Sequence, residues 1–271
     1  MKSPVVVKVG TSVLSTNGKL DKSMINSIAE QASFSIKEMG LPVVIVTSGA
    51  ILAGISLLNW DTKPKDLNLT QKQVSAAVGQ PTLIKMYIDS FAAAGLTVAQ
   101  ILITEEDLMI KNCYNNFLRT IKSLLRLNIT PIINENDAVS VKELLNLNNV
   151  KNEVQFGDND RLSAIIAKGI GAKKLVLLTD VDGVFINNGN KKETIDIISP
   201  NDKKIFANLD GMNEFGRGGI KSKLDAAFIA SSVGIETYIV NGKKAGSMLM
   251  AIKGEKIGTK VIGKKQEFIN K

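Results

Sequence analysis

The chain has 271 residues, enough for one large domain or two joined lobes, and its 44% hydrophobic and 22% charged content excludes disordered, collagen-like and coiled-coil classes. It holds no histidine and a single cysteine, Cys113, which excludes Ser-His-Asp, Cys-His and HExxH chemistry, cysteine zinc clusters and an intrachain disulfide, and points to a reducing cytoplasm. Lys plus Arg at 34 against Asp plus Glu at 26 leaves +8, but the charge is diffuse and aromatics are only 5%, so a small anionic ligand is favoured over nucleic acid.

Short apolar, β-branched runs alternate with longer amphipathic stretches throughout, the pattern of a largely parallel sheet covered by helices. No run reaches the roughly 18 residues of a membrane span. The first strand, near 4–9, reads Val5-Val6-Val7-Lys8-Val9 and breaks into Gly10-Thr11-Ser12, with no signal-peptide core ahead of it. Lys8 inside such a run either snorkels to water or meets an anion, and Gly10 lets backbone N–H groups approach a ligand. A helix over about 21–39 stops at Gly40, and a second strand, near 42–47, ends in Thr47-Ser48-Gly49-Ala50 before an apolar helix. Two strand-to-glycine turns with hydroxyls point to one crevice at the carboxyl end of the sheet, with simple tight turns as the alternative at each.

A helix over 70–94, with Thr70 and Gln73 at capping-box spacing and Gly95 at its stop, leads to a strand near 97–103; a helix over 112–127 leads to one near 130–133. That strand delivers Asn134-Glu135-Asn136-Asp137, a polar stretch from Ser140 to Gly157 is expected to be a lid or binding loop, and Gly157-Asp158-Asn159-Asp160 opens a helix over 160–170. Singly, Asp158 and Asp160 read as helix caps; jointly, the two polar clusters call for a cationic or ammonium partner. A strand near 174–179 precedes a polar hairpin or flap near 186–203. Gly216-Arg217-Gly218-Gly219-Ile220-Lys221-Ser222-Lys223 then leads into a helix over 220–233 that stops at Gly234. Lysines in a first helical turn oppose the dipole, a cost that a bound polyphosphate reverses; a solvated basic helix start is the alternative. No GxxxxGK[ST] occurs, and no GxGxxG follows a strand, which removes P-loop and Rossmann-type readings. A strand near 235–240 follows, and the lysine-rich tail after Gly254 is expected to be a short edge strand with a frayed end.

In chain order, KVGTS, VIVTSGAI, PIINENDAV, FGDNDRLSA, LLTDVDGVF and GRGGIKSKLDAA resemble the amino-acid kinase family over about residues 3 to 250, with NENDAV and GDND the most specific pieces. The resemblance implies an α/β fold, a three-layer α/β/α sandwich with a mainly parallel central sheet. It also implies a single domain over 1–271, with an acceptor-binding lobe at 1–170 and a nucleotide-binding lobe at 171–271. The implied reaction moves the γ-phosphoryl group of ATP, with Mg2+, to the side-chain carboxylate of L-glutamate, giving L-glutamyl 5-phosphate for proline synthesis. Aspartate or N-acetylglutamate is the alternative acceptor. Such a transfer rests on positioning and charge neutralisation and runs without histidine.

Carried over position by position, Lys8 and Lys223 neutralise the phosphoryl group in flight and Asp160 orients them. By the same resemblance Ser48, Asp137 and Asn159 are expected to bind glutamate, Asn134 and Asp158 to support them, and Gly10 and Gly49 to supply backbone donors. Thr179, Asp180 and the segment Arg217, Gly218, Gly219, Ile220, Lys221, Ser222 and Lys223 bind the nucleotide, and no metal ligand is implied among the side chains. The resemblance further implies a cytoplasmic homo-oligomer, a dimer or tetramer, that uses neither nucleic acid nor a membrane. Three features depart from the family pattern: a longer stretch between Asp137 and Gly157, on which proline inhibition bears; Lys221 where a small or neutral residue is expected; and no RNA-modification-type C-terminal domain. A non-catalytic sensor on the same fold is the competing class, and the presence of Lys8, Lys223 and the GDND acids speaks against it.

Overall fold

The computed structural model describes residues 2–140, 159–188, 191–199 and 217–264. Its strands in chain order are β1 (Val5–Val9), β2 (Ser15–Thr16), β3 (Lys19–Leu20), β4 (Val43–Thr47), β5 (Thr97–Ile103), β6 (Ile129–Glu135), β7 (Lys174–Thr179), β8 (Phe185–Asn188), β9 (Lys191–Thr194), β10 (Ile197–Ile198), β11 (Glu236–Asn241) and β12 (Thr259–Val261). The helices are α1 (Lys22–Lys37), α2 (Ala50–Leu57), α3 (Leu69–Ala93), α4 (Glu105–Met109), α5 (Lys111–Arg126), α6 (Asn159–Ile170), α7 (Arg217–Ser231) and α8 (Ser247–Lys253).

Eight strands form one sheet in the order β10-β12-β11-β7-β1-β4-β6-β5, parallel throughout except where β12 runs against β11. The central strands are apolar without alternation because both faces are covered, and residue parity decides which cover each side chain meets. Val5, Val7 and Val9 of β1, Val43 and Ile45 of β4 and Ile132 of β6 pack on the layer of α1, α3 and α8. Val6, Val44, Val46 and Ile133 pack on the layer of α5, α6 and α7. The three-layer α/β/α sandwich expected from the sequence is therefore the observed architecture. Parity also places the polar residues at the strand ends: Thr47 and Asn134 continue the face toward α3, and Lys8 the face toward α6 and α7.

The structure differs from the expectations in three places. The capping box of α3 is Asn68 with Gln71, each side chain bonded to the other's backbone N–H at 2.9 and 3.0 Å, so Thr70 and Gln73 lie inside the helix. The strand of the lysine-rich tail, β12, is internal, between β10 and β11, because the two-residue β10 returns after the β8–β9 hairpin to take the edge. Helix α7 already runs at Arg217, since Ile220 packs on the same core as Leu224 and Ala227 and extends the apolar stripe backward by a turn. Lys221 and Lys223 thus lie beyond the first turn, and the penalty expected for cations at a helix start does not apply to them. Of the Ser140–Gly157 stretch, all but Ser140 lies outside the described residues, as do 189–190 and 200–203 of the expected flap.

Helices α2 and α3 cross so closely that glycine is required at both contact points. A Cβ on Gly79 would stand 2.0 Å from the Ala50 carbonyl oxygen, and one on Gly54 would stand 1.9 Å from that of Ser75. Backbone cannot yield as a side-chain tip can, so Gly79→Ala is expected to cost about 1–3 kcal/mol, several degrees in Tm. Thermal unfolding at an unchanged Tm would show that the crossing has slack.

Candidate active site

The carboxyl ends of β1, β4, β6 and β7 share one edge of the sheet, and the order of the strands reverses at β1, with β4 on one side and β7 on the other. Such a switch point opens a crevice for ligands. On the α6–α7 side, Lys8 leaves β1 with its side chain 6% exposed and reaches Asp160 Oδ1 at 2.8 Å. Lys223, from the second turn of α7, reaches Asp160 Oδ2 at 3.0 Å and the Gly219 carbonyl at 3.3 Å. The Asp160 side chain is fully buried, and Ser222 Oγ lies 3.4 Å from the same Oδ2. Of the two options open for Lys8, the anion is the one the fold supplies. Two ammonium groups thus meet one buried carboxylate, all three held on rigid elements at the crevice.

Asn159 ties the neighbouring strand ends together. Its Nδ2 donates to the Thr47 carbonyl at 2.9 Å, Ser48 Oγ at 3.0 Å and Asn134 Oδ1 at 3.1 Å. Its Oδ1 is buried and receives no hydrogen bond among the described residues, an acceptor left for a ligand's donor. Gly49 has φ +112, a conformation that favours glycine, and caps α2 without any side chain, so the first N–H groups of that helix remain available at the crevice. Asp137 follows in the turn after β6, half-buried, on a cleft of about 460 Å³ that Ala50, Gln80, Pro81, Glu135 and Asn136 also line.

On the β7 side, Thr179 and Asp180 lie at the strand end beside β1, with Thr179 Oγ1 donating to Asp180 Oδ1 at 3.3 Å. A Cβ on Gly10 would stand 3.6 Å from Lys8 Nζ, so glycine keeps open the space beside the ammonium. Nearby Asp182 is held below the usual carboxylate range by hydrogen bonds from Lys244 and Asn241. The backbone of Arg217 and Gly218 belongs to α7, as do Gly219, Ile220 and the exposed Lys221; the partly buried Ile220 packs against the core. Asp158 lies outside the described residues.

The structure thus brings Lys8, Ser222 and Lys223 onto Asp160, and Ser48 and Asn134 onto the adjacent Asn159, with Asp137 on the adjoining cleft and Thr179 and Asp180 along the same edge. It adds Gln80, whose Oε1 accepts from Asn134 Nδ2 at 2.9 Å, and Tyr87, whose hydroxyl lies 2.8 Å from Thr47 Oγ1. Burial raises the Tyr87 phenol above its ordinary pKa, so it stays neutral. The only sequence signal for these two was a polar group on an otherwise apolar helical face.

A buried carboxylate between two lysines, at the switch point of a sandwich and beside an amide cluster, is the equipment of a phosphoryl-transfer enzyme. Residues 3–241 match the model of the Amino acid kinase family, and the chain belongs to that family. It is 39% identical over 266 residues to a glutamate 5-kinase of Rippkaea orientalis, covering 96% of this chain and 69% of that protein. A glutamate 5-kinase of Thermus thermophilus is 40% identical over 257 residues, covering 94% of this chain and 66% of that protein. The chain thus spans about two thirds of the length of these relatives. Its fold is that of a Giardia carbamate kinase, with a TM-score of 0.64 at 18% identity, covering 97% of this chain and 99% of the other. Isopentenyl phosphate kinase also shares it, with a TM-score of 0.59 at 17% identity, covering 94% and 99%.

Proposed function

We infer that the protein phosphorylates the side-chain carboxylate of L-glutamate with ATP, forming L-glutamyl 5-phosphate, a product that feeds proline synthesis. The observation that carries this reading is the pair of lysines on one buried carboxylate, set beside an amide cluster whose buried Asn159 Oδ1 awaits a donor. The similarity to glutamate 5-kinases over nearly the whole chain supports glutamate over aspartate or N-acetylglutamate as acceptor.

The acceptor carboxylate is already a nucleophile at neutral pH, so no general base is needed and the lack of histidine is no obstacle. Lys8 and Lys223 would neutralise charge on the phosphoryl group as it passes over the strand edge, and Asp160 would keep both ammonium groups on the same side of it. Ser48, Asn134, Asp137, Asn159 and the amides after Gly49 would hold glutamate on the α3 side, within an acceptor lobe of residues 1–170. Gly10, Thr179, Asp180 and the first turns of α7 would hold the nucleotide, within a lobe of residues 171–271. Mg2+ would be carried in on the nucleotide's phosphates, where it would reduce their charge.

The setting we infer is cytoplasmic; among the described residues no helix is long and apolar enough to cross a membrane. We also infer a homo-oligomer, a dimer or tetramer. Its support is the uncharged seven-residue edge strand β5, which carries the exposed Leu102, together with exposed Ile88 of α3, Met109 of α4 and Ile110.

The acceptor assignment is tested at Asp137. A charge-assisted hydrogen bond from the α-ammonium group contributes about 1.5–3 kcal/mol, so Asp137→Asn should raise the KM for glutamate by roughly tenfold to a hundredfold while the KM for ATP stays put. N-acetylglutamate, with a neutral nitrogen, should be a poor substrate of the unaltered enzyme. An unchanged glutamate KM, or equal use of N-acetylglutamate, would return the alternative acceptors to consideration.

A further inference from the structure

Helix α3 carries three polar side chains seven residues apart, and each is bonded to a different segment at the carboxyl edge of the sheet. Gln73 Nε2 donates to the Ser140 carbonyl at 3.2 Å, Gln80 Oε1 accepts from Asn134 Nδ2 at 2.9 Å, and Tyr87 shares a hydrogen bond of 2.8 Å with Thr47 Oγ1. Seven residues are nearly two turns, so the three groups form one stripe, with about 10.5 Å of rise between successive members. The turn after β6, the end of β6 and the end of β4 are therefore all fastened to one helix. The close crossing at Gly54 and Gly79 fixes that helix against α2, next in sequence to Gln80.

The middle bond has a chemical consequence that the outer two lack. An amide presents an acceptor on one side and donors on the other, and exchanging them inverts every bond it makes. Asn134 Oδ1 accepts from the Glu135 N–H at 2.9 Å and from Asn159 Nδ2 at 3.1 Å. Both bonds require its Nδ2 to face Gln80, and the Gln80 carbonyl oxygen, by accepting from it, reinforces the orientation that the Glu135 N–H favours. With the Thr47 carbonyl and Asn134 Oδ1 both accepting from it, Asn159 presents Nδ2 to the strand ends, which commits its Oδ1 to the side where the described residues offer no donor. Turn the Asn134 amide over, and two NH2 groups would confront each other.

We propose that Gln80 is a positioning residue for acceptor recognition, acting through Asn134 to set the orientation of the Asn159 amide that receives the substrate's donor. It rests on the reading of the Asn134–Asn159 cluster as the acceptor site. Its place is on the half-exposed wall of the cleft, so replacement leaves the core of α3 intact.

The test is a mutant cycle in the full chain, with KM for each substrate, kcat and Tm measured on the unaltered protein, Gln80→Met, Asn134→Ala and the double variant. Gln80→Met keeps the length of the side chain and removes the acceptor. The unaltered protein is first assayed over a panel of carboxylate acceptors, and the cycle uses whichever it phosphorylates best, so an acceptor other than glutamate would defeat the functional reading without touching the cycle. Gln80→Met is expected to raise the acceptor KM about tenfold, with the ATP KM within about twofold and Tm little changed, and to do almost nothing further once Asn134 is alanine. Gln80→Glu, which retains an oxygen facing Asn134 Nδ2, is expected to keep the acceptor KM within about threefold of the unaltered value. Effects that add in the double variant, an ATP KM that rises in step with the acceptor KM, or a Gln80→Glu protein as impaired as Gln80→Met would each overturn the proposal.

Discussion

Lys8→Ala and Lys223→Ala are each expected to lower kcat by at least about a hundredfold, because each removes a preorganised cation aimed at charge that develops during transfer. Folding should survive both. In either variant Asp160 keeps the other lysine, at 2.8 Å for Lys8 or 3.0 Å for Lys223, so the buried carboxylate is never left without a cation. Circular dichroism and Tm measured beside turnover separate lost chemistry from lost structure. Turnover near the unaltered rate in either purified variant would remove that lysine from the transfer step.

A substitution at the carboxylate itself should behave differently. Asp160→Asn keeps the shape of the side chain but leaves both lysines without their shared counter-ion in a buried place, where breaking such a pair typically costs about 3–5 kcal/mol. We therefore expect two losses together: kcat down by at least about a hundredfold, and a fall in Tm larger than either lysine variant shows. Were the Asp160→Asn protein as stable as the unaltered one and still active, the carboxylate would be neither the anchor of the lysines nor their orienting group.

Much of this site could be read from the chain because its parts are local. Lys8 stands out as a charge within four valines, and the alternation of a strand buried on both faces, once the helices are placed, sends it toward α6 and α7 rather than toward α3. Asp160 and Asn159 stand in a polar tetrad before an amphipathic helix, and Ser48 and Gly49 in a strand-to-helix turn. Gln80 was not legible, because its significance lies in a bond to a residue 54 positions away, with one strand and two helices between them. The same limit applies to Tyr87, which looks like one more core aromatic until its hydroxyl is seen against Thr47. Boundaries failed where two signals competed over a short range. Asn68 with Gln71 and Thr70 with Gln73 share the same spacing, and only the backbone geometry at Asn68, extended at φ −72 and ψ 171, decides between them. The glycines at 218 and 219 looked like loop, yet Ile220 and Leu224 gain enough by burial to draw them into α7.

The activity is tested most directly by trapping its product. An acyl phosphate reacts with hydroxylamine to give a hydroxamate, so the purified protein is incubated with ATP, Mg2+, hydroxylamine and, in turn, L-glutamate, L-aspartate and N-acetyl-L-glutamate. Hydroxamate that depends on ATP and forms with L-glutamate far faster than with the other two is the expected result; none with L-glutamate, or a clear preference for aspartate or N-acetylglutamate, would contradict it.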